Sequence, residues 1–304
     1  MHNLKCPICK SKKTQLIWND KIRKGINSLT NEKKQIYRCL TCDVSFLKKR
    51  YSSLPDDAIL RKVKDKKEIK KLHLFHTKRE LPKLKKIMKI YNYNKKRVLL
   101  VNCDFGLTIL DKIKKIAKLT AGISESDNSF YLKSYLKKKK HLFFDKLEQI
   151  ISKKYKFDVI ISPAQIEHVY DPSKYLNTFK KILSKTGVII LRVPNHDNIY
   201  KYILKKNFLN KDYRVSHNFY FTDKSCEYLF KKNKFKIIKK SGLMEHDVNN
   251  LLNYMRLGRR PMQYEKKRKN NNFLYLNKKV NKQLVDNLEN SPLPSHLLYV
   301  IKAY

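Results

Sequence analysis

Apolar and polar positions follow one another most consistently between Tyr155 and Asn195, YKFDVIISPAQIEHVYDPSKYLNTFKKILSKTGVIILRVPN. Phe157 to Ile161 is a short, β-branched apolar run, too short for a helix and too continuous for a half-exposed strand. It predicts a parallel strand buried on both faces. Asp171-Pro172 opens a helix, because the Asp carboxylate can accept from the free N–H groups there and the Pro ring has the φ of a first helical position. Tyr175, Leu176, Phe179, Ile182 and Leu183 recur at three- and four-residue steps and form one apolar face. Gly187 is expected to stop this helix, and Val188 to Val193 to form a second buried strand. Strand, crossover helix and strand in one sheet make a right-handed βαβ unit.

The same reading finds further elements on either side. Leu81, Leu84, Ile87, Met88 and Tyr91 make an amphipathic stripe that can cover one face of the sheet. Arg97 to Val101, Leu119 to Ile123 and His141 to Phe144 read as strands, with Leu107, Leu110, Ile113 and Ile116 on a helix between the first two. Phe235 to Ile238 and Ser295 to Ala303 are the last strands, and Thr222 is placed to cap a helix through Tyr228, Leu229 and Phe230. Gly106, Gly122, Gly187 and Gly242, four of only six glycines, fall at or near strand ends or helix stops. The chain divides into a module over 1–50, a linker and helical segment over 51–94, and an α/β domain over 95–304. A Lys- and Asn-rich insertion occupies about 246–294.

Composition adds a cation excess: 70 Lys and Arg against 26 Asp and Glu, a formal charge of +44. Such a charge suits a polyanion partner. The Lys residues are dispersed over every segment, however, alongside abundant Asn, Ile and Tyr, as in compositional drift. Binding to nucleic acid is therefore expected to be non-specific, and the runs at 137–140 and 266–269 to be solvated faces or loops. No apolar run reaches the length of a membrane span, and the start MHNLKCPICK has no apolar leader. A cytoplasmic protein with reduced thiols is expected, so the six cysteines point to metal or buried thiols before disulfides. Cys6-Pro7-Ile8-Cys9 and Cys39-Leu40-Thr41-Cys42 have the spacing of a structural Zn²⁺ site with four thiolates and no open position. Leu16 to Trp18 and Gln35 to Arg38 are candidate strands of the intervening hairpin, with Phe46 capping its core. Cys103 and Cys226 are expected to be buried small residues. His73 and His76 are expected on a solvated helix face.

The central stretch resembles class I S-adenosylmethionine-dependent methyltransferases, on Phe157-Asp158-Val159-Ile160-Ile161, Ile166-Glu167-His168-Val169, Asp171-Pro172, Thr186-Gly187 and Val193-Pro194-Asn195, with Ser216-His217-Asn218-Phe219-Tyr220-Phe221-Thr222 as a further match. The resemblance implies a doubly wound, Rossmann-like sheet of seven mostly parallel strands behind a small zinc ribbon. It also implies S-adenosylmethionine as cofactor. Asn102, Asp104 and Gly106 match the cofactor loop, although Asn102 and Asp104 replace two glycines and Leu100 replaces the usual acid, whose role Asp104 is expected to take. Ser124 and Glu125 fall where the family holds the ribose, Asp145 where it meets the adenine, and Ser162 ends the fourth strand beside the cofactor. Glu167 and His168 follow that strand at the carboxyl edge, where a His can take the acceptor's proton, and His217 is a second candidate. Alternatively, Glu167 and His168 orient their own loop. A zinc module before this domain is similar to methyltransferases of nucleotide sugars and glycans, which implies a small-molecule acceptor. An RNA-directed methyltransferase and a non-enzymatic binding protein are the alternatives.

Overall fold

The computed structural model describes residues 4–24, 28–52, 83–103, 107–124, 129–257 and 274–304. Asp104, Gly106, Glu125, His73, His76, Leu81, most of the expected linker and the basic run at 266–269 lie outside the described residues.

A four-stranded antiparallel sheet comes first. β1 (Thr14–Asp20) pairs with β2 (Lys34–Cys39), and β2 with β3 (Ser45–Leu47). Phe46 is buried and stacks on Tyr37 at 6.4 Å, as the expected cap of the hairpin core. The fourth strand comes from far along the chain: β9 (Phe219–Tyr220) pairs with β3 through Ser45–Tyr220 and Phe46–Phe219.

The second sheet has seven strands. Helix α1 (83–90) precedes β4 (Arg97–Val101). Next come α2 (Leu107–Lys114), β5 (Leu119–Ile123), α3 (Ser129–Lys138), β6 (Leu142–Phe144) and α4 (Leu147–Ser152). They are followed by β7 (Phe157–Pro163), α5 (Pro172–Ile182), β8 (Leu183–Pro194) and α6 (Ile199–Asp212). After β9 the chain forms α7 (Asp223–Lys232), β10 (Phe235–Leu243), α8 (Val248–Leu257), α9 (Lys278–Asn290) and β11 (His296–Ala303). The spatial order is β10-β11-β8-β7-β4-β5-β6; β11 runs antiparallel to both neighbours and the remaining pairings are parallel.

The central strands are apolar on both faces because both are covered. Val98, Leu100, Val159, Ile161, Val188 and Ile190 meet Ile87 of α1, Ile109 and Ile113 of α2, and Leu136 of α3. Leu99, Ile160, Ile189 and Leu191 face the other way, into a core that continues through Leu176, Phe179 and Phe230 to Phe46 and Cys39 of the ribbon. Asp171 caps α5 by accepting from Ser173 N and Lys174 N, and Thr222 caps α7 in a capping box with Ser225.

Gly187 does not stop α5. The helix ends at Ile182 and Leu183 already pairs with Phe157, so the glycine lies inside β8. The requirement there is close approach: an added Cβ would stand 2.8 Å from the Leu183 side chain and 3.0 Å from Phe157 O. Gly242 is similar, since a Cβ on β10 would meet the backbone oxygen of Glu289 in α9 at 2.1 Å. The segment read as an insertion thus contains two helices, and Leu251 and Tyr254 of α8 are buried with Tyr200 and Leu204 of α6.

Candidate functional site

Two groups of candidate residues lie along the carboxyl edge of the parallel strands. The first follows β4, β5, β6 and β7. Asn102 has φ 52°, in the left-handed region that favours glycine and that Asn tolerates better than most residues. Asn can thus hold a turn conformation suited to the glycine it replaces. Leu100 is fully buried within β4, so no carboxylate stands at that position. Ser124 is buried at the end of β5. Asp145 follows β6, its backbone N–H donating to Gln149 Oε1 at 2.9 Å and its carboxylate accepting weakly from Gln149 Nε2 at 3.4 Å. Ser162 is buried near the end of β7, its hydroxyl engaged by Tyr175 OH at 2.9 Å.

The second group joins residues from two distant segments. Glu167 and His168 follow β7, and His217 precedes β9; one ligand atom from each lies within 4.8 Å of those of the other two. The His168 and His217 rings are perpendicular, with centroids 4.7 Å apart. His168 Nδ1 lies 2.5 Å from Ser216 O, so Nδ1 carries the proton and donates it to that carbonyl. Nε2 is left with its lone pair, 3.8 Å from Glu167 Oε1. Burial pushes His168 down to about 4, with Arg214 adding to the effect. His217 is held well below the usual imidazole range, by burial and then by Arg214. Both rings are therefore neutral near pH 7. Glu167 is pushed up to about 7 by burial, against the pull of Arg192 and Arg214.

The ribbon sheet holds this group in place. Asn218 N and Phe219 N both donate to Glu167 O, at 2.9 and 3.1 Å. The Asn218 amide donates to His168 O and Tyr51 O, both at 2.8 Å, while its oxygen accepts from Tyr51 N at 2.8 Å. Arg50 donates to Tyr170 O and lies over the Tyr170 ring at 4.4 Å. Asn218 stands within the motif at 216–222, but its role depends on a strand pairing between segments about 170 residues apart. Arg192 is a further buried group near the site, and its signal in the sequence was a lone cation inside the apolar run Val188 to Val193.

Elsewhere on the ribbon, Cys6 Sγ lies 3.6 Å from Cys42 Sγ and Cys9 Sγ 3.4 Å from Cys39 Sγ, all four ligand atoms being within 4.8 Å of one another. None is in a disulfide. Cys103 and Cys226 are buried, as expected, and burial pushes the Cys226 thiol up. Lys137 to Lys140 are exposed at the end of α3. Among the described residues, no helix is long and apolar enough to cross a membrane.

The family profile described as a methyltransferase domain matches residues 75–240, more than half of the chain. No curated protein matches. Among solved structures, a S-adenosylmethionine-dependent methyltransferase from Mesorhizobium loti is 13% identical, with a TM-score of 0.47, over 73% of this chain and 97% of that one. One from Archaeoglobus fulgidus is 17% identical, with a TM-score of 0.45, over 76% and 99%. A complex of the Trm112 methyltransferase activator with a methyltransferase from Haloferax volcanii gives 11%, 0.48, 78% and 93%.

Proposed function

The chain belongs to the methyltransferase-domain family of S-adenosylmethionine-dependent enzymes, and from that premise we propose that it methylates a small-molecule acceptor bound against Glu167, His168 and His217. The observation that carries the reading is the convergence of these three residues at the carboxyl edge, where open α/β sheets bind ligands. A nucleotide sugar or glycan precursor is the acceptor class we favour, on the likeness of this layout, paired CxxC motifs ahead of a methyltransferase domain, to methyltransferases of nucleotide sugars and glycans.

The residues present fit the cofactor in part. Asn102 can hold a glycine-like turn, and Ser124 and Asp145 bring a hydroxyl and a carboxylate to neighbouring strand ends, suited to ribose and adenine. When bound, S-adenosylmethionine supplies an electrophilic methyl group. On the acceptor side, His168 Nε2 is the atom able to take a proton, because Nδ1 is committed to Ser216 O. A Glu167 carboxylate at 3.8 Å stabilises the imidazolium so formed. The four ribbon thiols fit one tetrahedral Zn²⁺; with all four positions taken, its role is structural. An RNA-directed enzyme is less well supported: Trp18, the chain's one indole, is buried edge-on against Tyr213 at 5.2 Å and offers no stacking platform for bases.

Calorimetric titration with S-adenosylmethionine and S-adenosylhomocysteine tests the reading, together with transfer of labelled methyl to a panel of sugar nucleotides. His168→Asn is expected to bind cofactor as the native chain does and to lower kcat by about 100-fold or more. Absence of cofactor binding at millimolar concentration refutes the enzymatic reading. Native turnover by His168→Asn refutes the role given to that residue.

A further inference from the structure

Glu167 presents an unmet electrostatic demand. Its side chain is 2% exposed, and neither carboxylate oxygen has a hydrogen-bond partner among the described residues. An ionised carboxylate in such surroundings is costly unless a cation or a set of donors meets it. Facing it are two imidazoles. His168 has its Nδ1 proton committed to Ser216 O, the arrangement by which proteins orient a metal-binding histidine, and its Nε2 lone pair lies on the Glu167 side. His217 is buried at right angles to it.

The geometry points to a second metal site in this chain, a divalent cation of the zinc class held by Glu167, His168 and His217. Two imidazoles and one carboxylate form a known catalytic ligand set for Zn²⁺ and leave a fourth position for water or an acceptor oxygen. Bonds of about 2.1 Å in a tetrahedron separate ligand atoms by roughly 3.4 Å. The three atoms here lie within 4.8 Å, and the His168–Glu167 pair is at 3.8 Å, so small side-chain rotations close the site. Arg192 and Arg214 act on the same carboxylate. They favour its ionised form, which a metal needs, but repel a dication, so this site is weaker than the thiolate site. The proposal rests on the carboxyl-edge site described above and takes up the same His168 Nε2 lone pair. With the cation bound, the acceptor would therefore be activated by the metal at its fourth position and not by a free imidazole. Its test reads metal binding, whereas cofactor titration tests the methyltransferase reading.

Titration of metal-stripped full-length protein with Co²⁺ distinguishes the two sites. The native chain should take up a first equivalent with intense thiolate-to-cobalt charge transfer, then a second showing only weak ligand-field bands. A chelator should remove the second first. Glu167→Gln should keep the first spectrum, which also reports that the ribbon is folded, and bind the second equivalent more than about 100-fold more weakly. His168→Gln should behave likewise. A native chain that stops at one equivalent overturns the proposal, as does a second equivalent bound equally well by Glu167→Gln.

Discussion

The Asp158 carboxylate belongs to the Phe157-Asp158-Val159 run that carries much of the family likeness, yet it lies at the start of β7, away from the carboxyl-edge site. It accepts from Arg97 N at 2.9 Å, Arg97 Nε at 3.1 Å, Arg97 Nη2 at 2.9 Å and Ser184 Oγ at 2.8 Å. These contacts join the amino ends of β4 and β7 to β8. The Arg97 hydrogen bonds, followed by the other donors, hold the carboxyl well below the usual carboxylate range despite its partial burial. A depressed acid stabilises the fold fully above its unfolded value of 3.8, and that contribution is lost as pH falls below it towards the folded value. Asp158→Asn is expected to cost about 2 kcal/mol at pH 7, the scale of charge-assisted hydrogen bonds, and to flatten the acid limb of stability against pH. Denaturant melts between pH 3 and 7 read both effects; parallel curves for the two proteins contradict them.

Among the elements, two-residue β9 has consequences beyond its length. It completes the ribbon sheet by pairing with β3, while Asn218 beside it bonds to His168 O and the backbone of Tyr51. Removing a buried partner leaves the groups it served unsatisfied, at about 1–3 kcal/mol for each. Asn218→Ala should therefore lower stability by about 2 kcal/mol or more and loosen the Glu167–His168 loop. Since the cofactor-side candidates follow β4 to β7 and do not touch this strand's pairing, cofactor affinity should stay within about twofold while kcat falls. Calorimetry and initial-rate kinetics on one preparation check the split, and an equal loss in both would place the effect elsewhere.

For the whole molecule, the ribbon and the large sheet share one core. Cys6, Cys39 and Phe46 belong to the same buried cluster as Phe179, Leu229 and Tyr299, and Thr222 Oγ1 donates to Asp43 Oδ2 across the junction at 2.7 Å. A metal held by the four thiols would thus stabilise more than the ribbon. Cys39→Ser is expected to lose the thiolate-bound zinc and to melt at lower temperature throughout; metal analysis and a thermal melt check this, and unchanged zinc content rules out the ligand set. The charge of +44 acts at the same scale. Because the Lys residues are dispersed, any affinity for RNA or DNA should be sequence-independent and fall steeply between about 50 and 200 mM salt. A sequence-selective complex that survives physiological salt would contradict this.

The sequence by itself determined what local physics controls. The apolar runs became β4, β5, β7 and β8, the Asp171-Pro172 and Thr222 caps start α5 and α7, and the paired CxxC spacing brings four thiols together. Only the tertiary structure decided what depends on contacts between distant segments. Gly187 looked like a helix stop, but a side chain there would crowd both Leu183 in its own strand and the Phe157 carbonyl on the neighbouring one. The stretch after Met244 reads as an insertion from its Lys and Asn content, although Val248, Leu251, Leu252 and Met255 in α8 and Val280, Leu284 and Leu288 in α9 recur at helical steps. That these helices pack with Tyr200 and Leu204 of α6 is what the tertiary structure decided. His217 lies about 50 residues from Glu167, and no periodicity links them. They meet because β9 is drawn into the ribbon sheet, and backbone pairing there sets how closely a buried carboxylate faces two neutral imidazoles.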